Sequence, residues 1–422
     1  MIDVEQGFKL AAINGVINTE LMIRVFDTEQ INIFNNQIVS ESMTITQALC
    51  DDSKIRFGGC ISGSFEIDLS YPDDLSKKYI TVMCMQTAII PTYPGAHLYP
   101  GVYSSGEPWT TSYEYRAVYP AFTIYKKCFA LFSGDVFSCK LAKNKLTRHL
   151  IAYDRFYWRG SIDCTAFYNS LYANAETITL AQLRTAILTQ YDLRQAEIVR
   201  QAEENETDYD YTAVVPLPAD NFLVYKMDTD SITVGDILRM IAEFNGVFMR
   251  MDGLGNIEYI SIGDSTAGEP EIYEFYADAQ AEDFTDHGYD CFDTHSIGVY
   301  DIIPNSNQER PYDLDNPLVT TGYVQTILEP GTTFSSAFNA VKSAIAPNFQ
   351  YTYRPMELKV RTRLWIQPGD RVRFVIKWYS IEGEGENEHT VTHVDTINSI
   401  ILSRRITGIQ AMTDELTAQG EV

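Results

Sequence analysis

One segment of the sequence, "DFTDHGYDCFDTH", gathers side chains that bind metals. Zinc and iron accept imidazole and thiolate ligands, so His287, Cys291 and His295 form the set that such an ion could use. In a strand these three residues share one face, but each step of four residues separates them by about 13 Å. Their spacing matches no compact metal motif, so we interpret the segment as a polar loop and expect no bound metal. The candidate ligands are Asp283, Asp286, His287, Asp290, Cys291, Asp293 and His295.

Other catalytic patterns are weaker still. Ser64 in "GSF" lacks the GxSxG elbow of a nucleophilic serine, and no Gly-rich loop carries the GK[ST] ending of a phosphate-binding loop. His149 in "RHLIAYD" is expected to be a barrel residue rather than a general base. Carboxylate pairs for glycoside hydrolysis cannot be chosen from sequence, because their separation depends on the tertiary structure. We therefore predict no catalytic, cofactor-binding or metal site.

The composition indicates a globular chain with a substantial core. The 422 residues are 45% hydrophobic, which is enough for two to four domains. No run of 18 apolar residues is present, and the N-terminus lacks a basic region followed by a long apolar run. The seven cysteines are odd in number and include no CxxC pair, which favours reduced thiols. We expect a protein without a membrane segment that is made and kept in a cytosol.

Charge is distributed unevenly along the chain. Of the net −25, residues 195–300 carry −19, since they hold 23 acids and four basic residues. Such a surface repels phosphate backbones, so tight nucleic-acid binding is not expected. Residues 119–160 have the opposite bias, with eight basic residues against Asp135 and Asp154. The basic residues are Lys126, Lys127, Lys140, Lys143, Lys145, Arg148, Arg155 and Arg159.

The two charged regions favour self-assembly, because opposite charges on one chain can meet between copies. The acidic residues Glu203, Glu204, Glu206 and Asp208 allow three interpretations. They line a channel, they meet the basic region of a neighbour, or they form a solvated outer face. The 27 tyrosines and 21 phenylalanines suit either carbohydrate stacking or, as is more common, β packing and interfaces.

Hydrophobic periodicity divides the chain into strand-rich and helical parts. Alternating runs such as "LMIRVF", "SMTITQAL", "SFEIDL" and "YITVMCM" predict strands, with "SGD" at 133–135 as a hairpin turn. Helices are predicted at "DCTAFYNSLYA", after a Thr179 to Gln182 capping box, and after Asp192 followed by Gln195. A further amphipathic helix is predicted from Phe334, Phe338, Val341 and Ile345, ending before Pro347.

A complete small unit follows the helical part. Thr233 and Asp236 predict a cap for a helix with an apolar stripe, and Gly246 is suited to end it. The runs "VFMRM" and "IEYISI" then predict a hairpin around "DGLGN". The predicted domains are 1–160, a first β-barrel with a loop insertion at 91–118; 161–211, a helical connector and acidic linker; 212–265, a small helix-hairpin domain; and 266–422, a second β-barrel.

Several stretches in this order resemble the hub proteins at the tip of phage tails. They are "FNNQIVSESMTITQALCDDSKIRFGGCISGSFEIDL", "RHLIAYDRFYWRGSIDCTAFYNSL", "SITVGDILRMIAEFNGVFMRMDGLGNIEYI", "DNPLV", "YRPMELKV" and "IQPGDRVRF" with "ILSRRITGIQAMTDELTAQG". Such hubs form the N-terminal part of tail-associated proteins in siphophages and are similar to the baseplate hub of contractile phages. The resemblance spans nearly all of residues 1–420.

The resemblance implies a β-rich α+β, multi-domain fold with two tail-tube-like β-barrels joined by the helical connector and the helix-hairpin domain. It further implies a structural protein of the virion tail tip, assembled in the host cytoplasm, that forms a homotrimer of six barrels. That ring would adapt the sixfold tail tube to a threefold spike while DNA passes through. The implied partners are a distal tail ring, tail tube or tape measure protein, and a separate spike or receptor-binding protein, since relatives often continue beyond the point where this sequence stops.

Two alternative functions remain open from the sequence. One is a distal tail ring or receptor-binding tail protein, and the other is a hydrolase of the cell envelope. The sequence also leaves open whether the tail is contractile, which host is involved, and whether DNA or a toxin-like cargo passes.

Overall fold

Strands dominate the computed structural model, which describes residues 4–14, 16–27, 30–50, 58–92, 121–226, 230–261, 270–276, 289–291, 295–296, 352–382, 389–410 and 412–421. The strands are β1 (Val16–Phe26), β2 (Ile31–Phe34), β3 (Thr44–Ala48), β4 (Ser64–Leu69), β5 (Tyr79–Thr92), β6 (Ala121–Leu141), β7 (Arg148–Asp154), β8 (Thr177–Thr179), β9 (Leu223–Tyr225), β10 (Phe248–Met251), β11 (Ile257–Ile260), β12 (Glu271–Tyr276), β13 (Tyr289–Cys291), β14 (His295–Ser296), β15 (Thr352–Arg361), β16 (Arg371–Glu382), β17 (His389–Thr407) and β18 (Thr413–Glu421). The helices are α1 (Gln6–Asn14), α2 (Arg155–Gly160), α3 (Thr165–Leu171), α4 (Leu180–Gln190), α5 (Ala196–Glu204) and α6 (Val234–Phe244). The predicted β-rich α+β class is confirmed for these residues.

One mixed sheet of 14 strands forms the body of the described structure. Its first half runs in the order β2-β1-β5-β6-β7-β4-β3, and every pair in it is antiparallel. Its second half runs in the order β12-β16-β17-β18-β15, with β13 and β14 both paired to β15. The pair β12–β16 is parallel, which makes the sheet mixed.

The long strand β17 joins the two halves. Its residues His389–Ile400 pair with β16, whereas its residues Ser403–Thr407 pair with β18 on one side and with Thr44–Ala48 of β3 on the other. On one edge the partner of β17 changes from β16 to β3, whereas on the other edge β18 pairs with Ser399–Ile401 and with Ser403–Thr407 across a register shift between Ile401 and Ser403. Each half therefore shares an unbroken hydrogen-bonded ladder with the other.

This joint corrects the predicted arrangement of two closed barrels, because the described strands form one open sheet. The physical reason is the length of β17, which uses both of its edges and so fuses the halves. The first half does curl towards itself. Ile38, just after β2, forms a single bridge to Leu69 at the end of β4, and Val39 donates a hydrogen bond to the Asp68 carbonyl at 2.9 Å.

The inner face of the sheet carries an apolar core that is continuous across both halves. In β4 the alternation predicted from "SFEIDL" is observed, with Phe65, Ile67 and Leu69 buried. In the second half Trp365 and Phe374 are also fully buried. Full burial of a large apolar side chain contributes about 1.5–3 kcal/mol, so this shared core strongly opposes separation of the halves.

A second core lies under the helices and reaches the sheet at the joint. It contains α6, α4 and the β10–β11 hairpin, together with Leu49 after β3 and Ile400 and Leu402 of β17. Because successive residues of a strand face opposite sides, Ile401 points into the first core while its two neighbours point into the second. The helical layer therefore packs directly behind the junction of the two sheet halves.

The predicted caps are confirmed in two helices. At α6, Thr233 Oγ1 accepts a hydrogen bond from Asp236 N–H at 3.2 Å, and the Asp236 carboxylate accepts one from Thr233 N–H at 3.1 Å. At α4, Thr179 and Gln182 form the same reciprocal arrangement. Gly246 follows α6 with φ of 63°, the left-handed conformation that glycine adopts without strain.

Two local predictions are wrong. "SGD" is not a turn but lies inside the 21-residue strand β6, where Gly134 allows close strand contact because a Cβ there would lie 2.1 Å from the Tyr153 carbonyl oxygen. Helix α5 begins at Ala196 rather than at an Asp192 cap, since Asp192 has φ of 50° and the Gln195 side chain instead bonds to Ala213 and Val215. The predicted helix at 334–345 and nearly all of the 91–118 insertion lie outside the described residues.

Candidate assembly surfaces and the three-way junction

The side chains of the candidate metal ligands lie outside the described part of the structure. Of the cluster, Asp290 and Cys291 belong to β13 and His295 to β14, for which only the backbone is described; the remaining members lie outside the described residues. Cys291 pairs with Met356 and His295 with Tyr353 of β15. No group of three or more metal-binding side chains occurs among the described side chains.

His149 and Ser64 lie in strands but far apart. His149 of β7 is a cross-strand partner of Asp68 in β4, and its Nδ1 lies 2.8 Å from the Asp68 carboxylate at an exposed position. Ser64 is opposite Tyr153, four residues further along the same pair of strands, about 13 Å away. The distance places Ser64 out of hydrogen-bond reach of the imidazole, so these two residues form no nucleophile and base pair.

A cluster of buried polar groups lies where both sheet halves meet the helical layer. There the hairpin residues Arg250 and Asp252 face Asp154 from β7 and the 367–368 loop of the second half around a cavity of about 20 Å³. Such a cavity has room for one water molecule. We call this place the three-way junction, and its shape suits structural attachment rather than binding of a substrate.

Asp154 is the central acid of the three-way junction. It is 3% exposed and caps α2, accepting hydrogen bonds from Gly63 N–H at 2.5 Å and Tyr157 N–H at 3.2 Å. Burial raises the pKa of its carboxyl group to about 7, although the hydrogen bonds from Gly63, Tyr157 and Phe156 oppose that rise. Asp154 therefore titrates near neutral pH at the point where the elements meet.

The hairpin contributes a second perturbed acid and a bridging arginine. Burial raises the pKa of Asp252 to about 6, against the hydrogen bonds from Asn256 and Leu254. Arg250 pairs with Glu258 at 2.7 Å on the neighbouring strand and also donates to the Pro368 carbonyl. Since Pro368 belongs to the second half of the sheet, Arg250 ties the hairpin to that half.

The "DGLGN" turn is fixed to the first half of the sheet by close backbone contact. Ser133 Oγ of β6 donates a hydrogen bond to the Gly253 carbonyl at 2.9 Å. A Cβ on Gly253 would lie 1.9 Å from the Ala130 carbonyl oxygen, and Gly255 adopts φ of 83° beside Tyr79. Glycine is therefore required at both positions, and the small hairpin serves as a clamp between the sheet halves.

Helix α1 provides a separate attachment between the halves. Phe8 packs edge-on against Trp365 with ring centroids 6.0 Å apart. Lys9 forms an ion pair with Glu271 of β12 at 3.0 Å, and Glu271 is also 3.4 Å from Arg363. The Arg363 guanidinium stacks over Tyr273 at 3.9 Å from the ring centroid. This attachment combines apolar packing with a partly buried charge network.

The predicted acidic region contains a largely exposed stretch, which we call the acidic segment (residues 203–210). Its acids Glu203, Glu204, Glu206 and Asp208 are exposed at the end of α5 and just after it. Thr207 N–H donates to the Ala202 carbonyl at 2.9 Å, and Glu206 has φ of 53°. The segment therefore has a defined backbone turn that holds its carboxylates outward.

The predicted basic region forms the β6–β7 hairpin and the start of α2. Lys140, Lys143, Lys145 and Arg159 are exposed there, whereas Arg148 donates its guanidinium hydrogens to the Pro72 and Cys139 carbonyls. Among the described residues, no ion pair joins this region to the acidic segment of the same chain. The unequal charge seen in the sequence is thus present on the surface as two groups of exposed charged side chains.

Aromatic residues lie next to that basic region, an arrangement that the sequence analysis missed. Phe137, Tyr157 and Trp158 are 51%, 41% and 39% exposed. Tyr153 stacks on Tyr157 at 4.3 Å, and Phe137 lies 5.6 Å from Tyr153 and 6.0 Å from Trp158 between ring centroids. We call these four residues the aromatic patch. The alternation of Tyr153 with its buried neighbours in β7 was the available signal, whereas the exposure of Phe137 depends on a bulge in β6.

No described helix has both the length and the apolar composition needed to cross a membrane. The cysteines with described side chains, at positions 50, 60, 84, 128, 139 and 164, form no disulfide. No protein-family model matches the chain, and no curated protein matches it by sequence.

Solved structures of low sequence identity align with most of the chain. The tail protein from Neisseria meningitidis MC58 is 12% identical, with a TM-score of 0.46, over 95% of this chain and 96% of that one. The 43 kDa tail protein of prophage MuSo2 from Shewanella oneidensis is 10% identical, with a TM-score of 0.42, over 94% and 98%. The E. coli c3393 protein, a type VI secretion component described as similar to the T4 tail proteins gp27 and gp5, is 8% identical, with a TM-score of 0.32, over 94% and 76%.

Proposed function

We propose that this chain is a structural, non-enzymatic hub protein at the tip of a phage tail or of a related injection machine. Three copies would form a ring in which six β units, two from each chain, surround a channel. Such a ring adapts a sixfold tube above it to a threefold spike below it. The β-rich halves described above would be those units, each completed into a barrel-like wall in the assembled ring.

The observation that carries this proposal is the β17 joint with its clamp. A symmetry adaptor needs two β units held in a constant relative position within each chain, because the sixfold face is built from both. Here the shared ladder of β17 and β3 supplies that connection, and the helical layer packs directly behind it. The DGLGN turn and Arg250 then attach the same layer to both halves. In this proposal the helix-hairpin unit, for which the sequence predicts no catalytic or metal site, holds the two β units in position.

The partners in this proposal are a distal tail ring, tail tube or tape measure protein on one side and a spike or receptor-binding protein on the other. The location is the virion tail tip, with assembly in the host cytoplasm. DNA would pass through without specific binding, since a chain of net −25 does not attract phosphate.

Electron microscopy of the purified protein, combined with mass measurement of the particles, tests the proposal. Rings of three copies with six density lobes around a channel are the expected result. Rings of six copies would instead favour a distal tail ring. A protein that stays monomeric at high concentration and at every ionic strength would refute the hub.

A further inference from the structure

We propose that the aromatic patch is the docking site for the acidic segment of a second copy of this chain. The inference rests on the proposed hub, because it names the surfaces through which the copies would meet. Its basis is the combination of four neighbouring aromatic side chains, a basic surround and an acidic complement elsewhere on the same molecule.

The aromatic patch has the composition of an interface centre rather than of an ordinary solvent face. Tyrosine, tryptophan and arginine are enriched in the few interface residues that carry most of the binding free energy. Here Phe137 is the extra residue of a β-bulge, skipped between the Val136–Ala152 and Ser138–Ile151 pairs, and the bulge directs its ring outward. Trp158 and Tyr157 extend the same surface from α2.

The charges around the aromatic patch are mainly positive. Arg159 is exposed beside it, and Lys140 lies further along the same hairpin. Arg155 stacks over Tyr79 at 4.7 Å. The acids that face this area are Asp154, which is buried beneath it, and half-buried Asp135, whose pKa is raised by burial and lowered by Arg155 and Arg159. The surface therefore suits an acidic partner.

The acidic segment can serve as this acidic partner without a large loss of conformational entropy. Glu203, Glu206 and Asp208 are exposed, and the turn that presents them is already closed by internal hydrogen bonds. A pre-organised segment loses less conformational entropy on binding than a disordered one. Tyr209 is held by its hydroxyl, which accepts from Gln195 N–H at 3.0 Å, so the segment is anchored at its far end.

Net charge favours this contact over others between copies. Two chains of −25 repel each other unless the contact places unlike charges together, and the β6–β7 hairpin region is a strongly basic part of the chain. A contact between two different surfaces of identical chains is heterologous, so repetition closes into a ring when the rotation allows. Ring closure is what the proposed hub requires.

Two variants and a matched control test the inference. The patch variant carries Phe137→Thr and Trp158→Gln. The acid variant carries Glu203→Lys, Glu206→Lys and Asp208→Lys, which leaves Asp210, the partner of Thr212, intact. The control carries the same charge change at the exposed acids Glu5→Lys, Glu20→Lys and Glu176→Lys. Circular dichroism melting verifies that each protein is folded, since exposed substitutions change stability little.

Sedimentation velocity then measures assembly across protein concentration and salt. The patch and acid variants should each weaken assembly at least about tenfold, because central aromatic and paired charged residues dominate binding. The control should assemble like the wild type. A mixture of the two variants should form dimers but no rings, since the patch variant keeps its acidic segment and the acid variant keeps its patch.

The outcomes separate this inference from the proposed function. If the wild type forms trimeric rings and both variants assemble normally, the acidic segment faces the channel or solvent, and the docking inference is wrong while the hub stands. A mixture that yields no dimers would likewise overturn the docking inference. A wild type that never assembles overturns both.

Discussion

Replacing Asp154 by asparagine should change how the stability of the protein depends on pH. The carboxyl group is 3% exposed at the three-way junction, and burial raises its pKa from 3.8 to about 7. In the unfolded chain the same group is ionised above about pH 4. Between these values the folded protein holds a proton that the unfolded chain has lost, so stability falls as pH rises towards 7 and through it.

The size of this effect follows from the two pKa values. Each pH unit between them contributes about 1.4 kcal/mol, so the full span of roughly three units corresponds to about 4 kcal/mol. Unfolding measurements at lower pH are impractical, because the net charge of the protein approaches zero near its pI of about 4.6. From pH 5.5 to pH 8, the carboxyl group should lower the free energy of unfolding of the wild type by about 2 kcal/mol.

Asp154→Asn cannot ionise and should lack this dependence. The amide keeps one acceptor oxygen for the backbone N–H groups of Gly63 and Tyr157 and loses the other, a constant cost of about 1 kcal/mol. Urea unfolding at several pH values, followed by tryptophan fluorescence, gives the free energies. The variant should therefore gain about 2 kcal/mol relative to the wild type between pH 5.5 and pH 8.

The exposed Asp74→Asn supplies the control, since the pKa of Asp74 is lowered by its hydrogen bonds with Ser76 and the group stays ionised in this range. Its free-energy difference from the wild type should not change with pH. If the difference between Asp154→Asn and the wild type is equally flat, Asp154 is ionised in the folded protein and the junction is more hydrated than its burial indicates.

Four further predictions concern the clamp, a buried ion pair and the absence of chemistry. Gly253→Ala should destabilise the protein by about 2 kcal/mol or more in urea unfolding, since its Cβ would meet the Ala130 carbonyl, whereas Leu254→Ala at the exposed neighbour should cost less than about 0.5 kcal/mol. Arg404→Met should cost about 3–5 kcal/mol by leaving the buried Asp414 carboxylate, now 2.6 Å from the guanidinium, without its partner; adding Asp414→Leu should restore most of that loss. Purified protein should release no muropeptides from cell walls, and sustained release would contradict a structural role. Elemental analysis of protein prepared without added metal should find no stoichiometric zinc or iron, and one ion per chain would contradict this.

Local patterns predicted the elements of the fold better than their arrangement. Alternation in "SFEIDL" corresponds to β4, and the Thr233–Asp236 cap precedes α6. Such signals depend on residues that are close in sequence. The pairing of β3 with β17 joins residues about 360 positions apart, and no local pattern specifies it. The wrong turn at "SGD" has the same origin, because Gly134 is required by a neighbouring strand rather than by a bend in its own.

The candidate surfaces were predictable only in part. Charge counts alone indicated an acidic and a basic region, and exposed charged side chains in both are now observed. Asp154 and Asp252 gave no signal in the sequence, because a carboxylate after a strand or in a turn is ordinarily solvated. Their raised pKa values arise from burial by three elements that meet only in the folded chain. The aromatic patch likewise required the bulge at Phe137 to be known.

The attachments between the sheet halves depend on different interactions. This difference predicts which of them weakens when the pH or the salt concentration changes. Backbone pairing of β17 with β3 and the packing of Phe8 on Trp365 contain no titrating group. The Lys9–Glu271 pair depends on salt only weakly, because both side chains are largely buried. The three-way junction contains Asp154 and Asp252, whose pKa values are raised by burial to about 7 and about 6. A rise in pH therefore weakens the clamp of the helical layer while the ladder between the halves persists, so that the β units stay joined.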